Sequence, residues 1–262
     1  GERVGYYGNS LGDHFGVGHI FLAGEAPGLF YGYVTQGIVQ KEDITENGIK
    51  YIKQDGSVGY YQTVNKTTPV AGDVKYVDRN GDGVVDDNDR DIIGNPNPDF
   101  TYGFQTKVSW KSLSLSASFN GVQGRDILNV GNRYNNTPGT KSNNVTRKAF
   151  QNMWTDENPS NLYPKSTFVV QNMVMDRYVE DGSYLRCSDI TLSYVLPAKW
   201  TNKIGIKNTS VYASVKNAFV ITDYSGYDPE VNSFAFDGLR PGVDMNSYPT
   251  PRSFVFGLNL TF

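Results

Sequence analysis

The twelve residues from Asp78 to Asp89, "DRNGDGVVDDND", hold five aspartates, with glycine at the fourth and sixth positions. Calcium takes about six to eight oxygen ligands in flexible geometry. A loop of this length can present them from its first, third, fifth, seventh, ninth and twelfth positions. Those positions are Asp78, Asn80, Asp82, the Val84 carbonyl, Asp86 and Asp89. Gly83 falls where such a loop turns sharply, which suits a residue free to adopt positive φ. Asp89 stands where a longer glutamate would reach in with both oxygens, so the expected site is a weakened one. A solvated acidic turn without an ion is the plain alternative. The flanks "AGDVKYV" and "IIGNPNPDFTYGF" read as extended chain, so a helix–loop–helix sensor is not expected. A Ca2+ ion here would be structural.

Other stretches carry chemistry less well. "GNSLG" (8–12) matches a nucleophile-elbow pattern centred on Ser10, followed by His14 and His19. That motif needs a strand before it, a helix after it and a histidine far downstream. The glycine-rich "DHFGVGHIFLAG" supplies neither helix nor distance. The two histidines have no third ligand indicated and read as ordinary loop or lumen residues. A glycosidase pair of facing carboxylates would have to come from Asp86, Asp87, Asp89 and Asp91, which the calcium pattern uses better. There is no phosphate loop and no dinucleotide fingerprint. No catalytic constellation emerges, and an enzyme is not expected. A formal net charge of -3 offers no basic stripe for nucleic acid. Cys187 is the single cysteine, which excludes an internal disulfide and reads as a small packing residue on a strand.

The elements that must carry this loop alternate with period two. "FTYGFQTKVSW" (100–110), "LSLSASF" (113–119), "DITLSYVL" (189–196), "SVYASVKNAFV" (210–220) and "RSFVFGLNLTF" (252–262) each place apolar residues on one face. The opposite faces hold Ser, Thr, Asn, Gln and Gly, with few charges. Strands of about ten residues, apolar outside and small-polar inside, fit a membrane barrel better than a soluble sandwich. Tyr102, Trp110, Tyr184 and Tyr194 would form its interfacial girdles. Short links at 110–112 and 197–209 alternate with long ones at 41–98, 121–183 and 222–251, as inner turns alternate with outer loops in such barrels. The calcium-type loop then lies outside the cell. Within the second long link, 143–159 reads as a short helix with Val145, Ala149, Phe150, Met153 and Trp154 along one stripe. The final strand leads in strict alternation to Phe262, a terminal aromatic of the kind that barrel assembly recognises. The opening "GERVGYYGNS" has neither signal peptide nor cap, and reads as cut from a larger chain.

Several segments together resemble the SusC/RagA family. They are "GLFYGYVTQGIVQ" (28–40), "GDVKYVDRNGDGVVDDNDRDIIGNPNPDFTYGF" (72–104), "VEDGSYLRCSDITLSYVLP" (179–197), "KNAFVITDYSGYDPEVN" (216–232) and "YPTPRSFVFGLNLTF" (248–262). The resemblance runs in order over nearly the whole chain. It implies an all-β fold, an antiparallel transmembrane segment forming the last third of a 22-stranded barrel, with long extracellular loops and a short loop helix. Residues 1–262 would be the C-terminal portion, with the plug domain, TonB box and early strands absent. The family implies TonB-dependent import across the outer membrane of a Bacteroidetes-type Gram-negative bacterium, with a SusD-like lipoprotein as lid. Implied partners are that lipoprotein, the remainder of the transporter, the TonB complex through the plug, and outer-membrane lipid. Oligosaccharides are the leading cargo and oligopeptides the alternative. Tyr134, Tyr163, Tyr224, Tyr227 and Phe236 are the loop aromatics placed to stack on sugar or meet the partner. The reading from another class is a soluble, calcium-stabilised β-domain acting as a glycan-binding adhesin.

Overall fold

The computed structural model describes residues 3–6, 18–137, 144–167, 173–201, 206 and 208–261. The chain divides into two compact units, each drawn from three segments. One gathers residues 1–97, 126–180 and 231–247; the other gathers 98–125, 181–230 and 248–262.

The second unit is one antiparallel sheet of five strands: β1 (Phe100–Trp110), β2 (Leu113–Gln123), β3 (Tyr184–Val195), β4 (Asn208–Thr222) and β5 (Ser253–Thr261). They pair in chain order, each with the next. All five strands expected from alternation are present, and β2, β3 and β4 run several residues beyond the expected ends. An eleven-residue strand spans roughly 36 Å at about 3.3 Å per residue, enough for the apolar layer of a bilayer when tilted. Lys111 closes the β1–β2 turn with φ of 53°. The β2–β3 ladder slips by one residue between Ser118 and Phe119, and the β3–β4 ladder between Cys187 and Asp189. Such bulges bend and twist a sheet locally. On one face Tyr212 lies over Gly257, where any Cβ would meet its ring at 2.2 Å.

The first unit is built from short strand pairs around a tyrosine-rich core. Tyr33, Tyr51, Tyr61 and Tyr76 are almost wholly buried beside Phe30, Ile38 and Val39. A phenol is tolerated inside only when its hydroxyl finds a partner, and each of these does. Tyr51 donates to the Asp78 carbonyl at 2.6 Å, Tyr33 donates to Asp87 at 3.0 Å, and the Tyr61 hydroxyl accepts from the Tyr76 N–H at 3.1 Å. Tyr76 reaches the sulfur of Met175 at 3.7 Å. Burial pushes the Tyr33 hydroxyl up to about 12, so it donates as a neutral phenol.

The expected 143–159 helix is shorter, at Arg147–Asn152, with Thr146 capping the Ala149 N–H. Met153 is already extended and bridges to Tyr163. Ala149 and Trp154 are buried, but Phe150 is 63% exposed, so the single stripe is corrected. Trp154 turns inward because its indole N–H donates to Gln40 at 3.0 Å and its backbone N–H to the Tyr163 carbonyl.

Candidate functional site

The five-stranded sheet has two chemically distinct faces. Rungs of the ladder read Trp110–Leu113–Tyr194–Val211–Leu258 and Val108–Leu115–Leu192–Ala213–Phe256 on one side. On the other they read Ser109–Ser114–Ser193–Tyr212–Gly257 and Lys107–Ser116–Thr191–Ser214–Val255. The apolar face is bare: Trp110 is 68% exposed and Phe256 80%. Within this unit no second layer of described residues covers these side chains. A soluble protein rarely leaves so large a contiguous apolar surface in water, whereas a barrel strand turns it to hydrocarbon. Among the described residues no helix is long and apolar enough to cross a membrane.

The polar face is a web of hydroxyls around one ion pair. Asp189 accepts from Thr191 at 2.9 Å, Ser214 at 2.7 Å and Lys216 at 2.7 Å, and Thr191 meets Ser214 at 2.9 Å. These groups are satisfied among themselves, with Ser214 buried and Asp189 and Lys216 partly solvated, as expected of a wall facing a wet lumen. The short connections, 111–112 and 196–207, lie at one end of the sheet. The long ones, 124–183 and 223–252, leave from the other. The expected alternation of short and long links is therefore present.

At the mouth end, the 223–252 link is fixed to the strands by charge. Arg186 of β3 meets Asp228 at 2.5 Å and Glu230 at 3.2 Å, and both Arg186 and Asp228 are nearly buried. Glu230 also accepts from the Tyr184 hydroxyl at 2.7 Å and from Asn120 at 2.9 Å. Arg125 donates to the Pro229 carbonyl at 2.5 Å. Burial alone would raise the Asp228 carboxyl, but Thr250, the Glu230 N–H and the Arg186 charge outweigh it and hold the group below the usual carboxylate range. Sequence reasoning missed this clamp. "YLR" and "YDPE" sit more than 40 residues apart, and only the register brings them together.

The loop 78–89 closes on itself. Asp78 accepts from the Gly81 and Gly83 N–H groups at 2.7 and 2.9 Å. Asp89, wholly buried, accepts from those of Arg79, Asn80 and Asp86 at 2.8, 3.2 and 2.8 Å. Asp82 takes the Val84 N–H and the Asn80 amide, and Asp86 takes the Asn88 N–H. Gly83 does adopt positive φ, at 85°. Among the described residues no three His, Cys, Asp or Glu side chains come together as a metal-ligand group. In this arrangement the carboxylates serve the loop's own N–H groups; Asp89 Oδ1 accepts from two of them, while oxygens such as those of Asp78 accept one each and keep a further lone pair.

Of the aromatics singled out, Tyr227 is 72% and Phe236 81% exposed. Tyr163 and Tyr224 are buried instead. Tyr163 pairs with Met153, and the Tyr224 ring lies over Gly226. They pack their own loops, and their rings are not presented at a surface. The Tyr134 side chain, Phe262, Ser10 and His14 lie outside the described residues. His19 is fully buried, meets the Pro241 carbonyl at 3.2 Å and packs edge-on to Phe30. Cys187 is buried on β3 as expected.

No protein-family model matches the chain. TonB-dependent receptor P3 of Formosa agariphila is 33% identical over 248 residues, covering 93% of this chain and 23% of the relative. TonB-dependent receptor SusC of Bacteroides thetaiotaomicron is 34% identical over 194 residues, 71% of this chain and 17% of the relative. The solved structure of the RagAB peptide importer in its "open-open" state matches with a TM-score of 0.64 at 26% identity, over 94% of this chain and 23% of that one. The chain thus spans about a quarter or less of the length of the proteins it matches.

Proposed function

We propose that this chain, a SusC/RagA-like segment of antiparallel β-barrel, forms part of the wall and outer loops of a TonB-dependent importer in the outer membrane. The observation that carries this reading is the bare apolar face set against a hydroxyl-lined one. A soluble adhesin would need that apolar face covered. The rest of the transporter would pair with the edge strands β1 and β5, because an unpaired edge in lipid leaves backbone groups without partners. A SusD-like lipoprotein would cap the outer loops, with Tyr227 and Phe236 available to it or to cargo. Energy would arrive through TonB acting on the plug.

Oligosaccharide is the first cargo proposed. The lumenal wall is mostly neutral hydroxyls, with Lys107 and one self-neutralised ion pair as charges, which suits an uncharged, hydroxyl-rich solute. Likeness to a peptide importer supports oligopeptide as the second reading. Uptake of labelled glycan and labelled peptide by cells carrying the full gene, compared with a deletion strain, tests both. Loss of glycan uptake alone supports the first reading. Loss of peptide uptake alone supports the second, and loss of neither removes import.

Calcium at 78–89 is a further part of the proposal, supported by the order of oxygen donors and their spare lone pairs. Adding calcium to the detergent-purified transporter is expected to raise its melting temperature. A ligand at a hundredfold excess over its Kd adds about 2.7 kcal/mol to the folded state. The Asp82→Asn variant is expected to lose the increment. An unchanged melting temperature in the parent protein would make the loop a self-closed staple without an ion.

A further inference from the structure

Between two turns of the first unit lies an open groove of about 280 Å³. At ~30 Å³ per water in the liquid, it holds about nine waters, or one sugar ring. One bank is the hairpin turn at 53–57, closed by the Lys53 N–H on the Ser57 carbonyl at 2.8 Å and the Gly56 N–H on the Lys53 carbonyl at 3.0 Å. The other bank is the chain at 77–81, whose Arg79 and Gly81 N–H groups are held by Asp89 and Asp78. Both banks are thus fixed by backbone groups, which leaves side chains to spare. Among the described residues the Lys53 ammonium and the Gln54 carboxamide make no hydrogen bond or ion pair. Asp55 gives one oxygen to Ser57, at 2.9 Å from its N–H and 2.6 Å from its hydroxyl, and keeps the other. Arg79 commits one guanidinium nitrogen to Asp91 and keeps the donors on the other two. The charges decide what fits. An anion would sit beside the aspartates of the acidic loop, and a cation would meet Lys53 and Arg79. An uncharged polyol avoids both conflicts. Each sugar hydroxyl donates one hydrogen bond and accepts up to two, so neighbouring hydroxyls use these groups in turn. Lys53 and Arg79 donate, Asp55 accepts, and the Gln54 carboxamide does both. Val77, the apolar side chain of the described lining, offers a contact for ring C–H groups. That lining has no aromatic ring to stack on, so the expected Kd is roughly millimolar.

We propose that this groove binds a single uncharged sugar unit, held by Lys53, Gln54, Asp55 and Arg79. None of these four is among the six calcium-type oxygen donors, so the two sites are separable. The ligand chemistry follows from the groove's own lining, while its placement outside the cell rests on the import reading.

Methyl glucoside, methyl galactoside and methyl mannoside are suitable probes, with methyl glucuronide as the charged counterpart. They are titrated into the full transporter, purified in a detergent without a sugar headgroup, and followed by saturation-transfer NMR. At least one neutral glycoside is expected to bind saturably, with the glucuronide no tighter. Combining Lys53→Met with Gln54→Ala is expected to weaken that binding by about tenfold or more, because hydrogen bonds to a charged and a neutral group are both lost. The melting temperature should not change, since both side chains are exposed and bonded to no described residue. Saturation by none of the three glycosides, tighter binding of the glucuronide, or undiminished binding by the double variant would overturn the proposal. Signal that survives the double variant belongs elsewhere in the transporter. Uptake of labelled glycan by cells carrying the double variant is a separate measurement, so failure of the groove and failure of import are told apart.

Discussion

Replacing Arg186 with methionine is expected to destabilise the folded transporter by about 3–5 kcal/mol, the usual cost of removing one partner from a buried ion pair. The variant leaves Asp228 and Glu230 facing each other's charge with Arg125 as a remaining cation beside them. Urea titration in detergent micelles measures the loss. Arg186→Lys should fall between the two, because an ammonium cannot bridge two carboxylates with a planar fork. Adding Asp228→Asn to the methionine variant should recover much of the deficit, since the orphaned charge is then gone. A loss under about 1 kcal/mol would mean that the clamp is a solvated surface pair. The pH dependence follows from Asp228, whose folded pKa lies below the ordinary carboxylate value. Its contribution is fully present above about pH 4, the unfolded value. It is lost as pH falls through the lower folded value. In the Arg186 variants this acid-side loss should begin at higher pH.

Arginine at position 104 is expected to cost about 2–4 kcal/mol, while arginine at the next residue should cost far less. Phe104 lies mid-strand on the bare apolar face, stacked on Phe119 with ring centroids 4.5 Å apart. Gln105 points to the hydroxyl face opposite Ser118, on the rung of Asp189. A charge on the hydrocarbon side must be desolvated, whereas one on the lumen side keeps its water. Phe104→Leu serves as control for lost stacking. The fraction of folded protein in outer membranes, read from heat-dependent gel mobility, distinguishes the two faces. Similar costs at 104 and 105 would remove the membrane assignment.

The five strands were legible because a sheet with one apolar face writes a period of two into its sequence. Leu113, Leu115 and Phe119 alternate with serines whatever lies around them. The one-residue slips beside Ser188 left no such trace, since a bulge is a matter of pairing and not of pattern. The tyrosine core was not legible either. Tyr33, Tyr51, Tyr61 and Tyr76 look like surface or cargo-binding aromatics until each hydroxyl is seen to have a partner inside. The burial of Tyr163 and Tyr224 was hidden for the same reason: an amphipathic ring fits either environment, and composition does not choose between them. The acidic loop was legible as a turn. Its spacing could not reveal that Asp78 and Asp89 spend their oxygens on the loop's own backbone.

The chain from Asp126 to Asp181 leaves β2 and returns to β3 through a stem in which Val179–Asp181 runs beside Asp126–Asn129. That stem brings the departure and return points together. Closing a flexible loop costs only about 0.6 kcal/mol more for each doubling of its length, and a zipped stem makes even that largely independent of what it carries. The β2–β3 register is therefore closed off before the excursion begins, while the excursion itself packs Trp154, Met173 and Met175 into the tyrosine core of the first unit. A sheet closed off in this way keeps its register whatever strain the long link places on its far end.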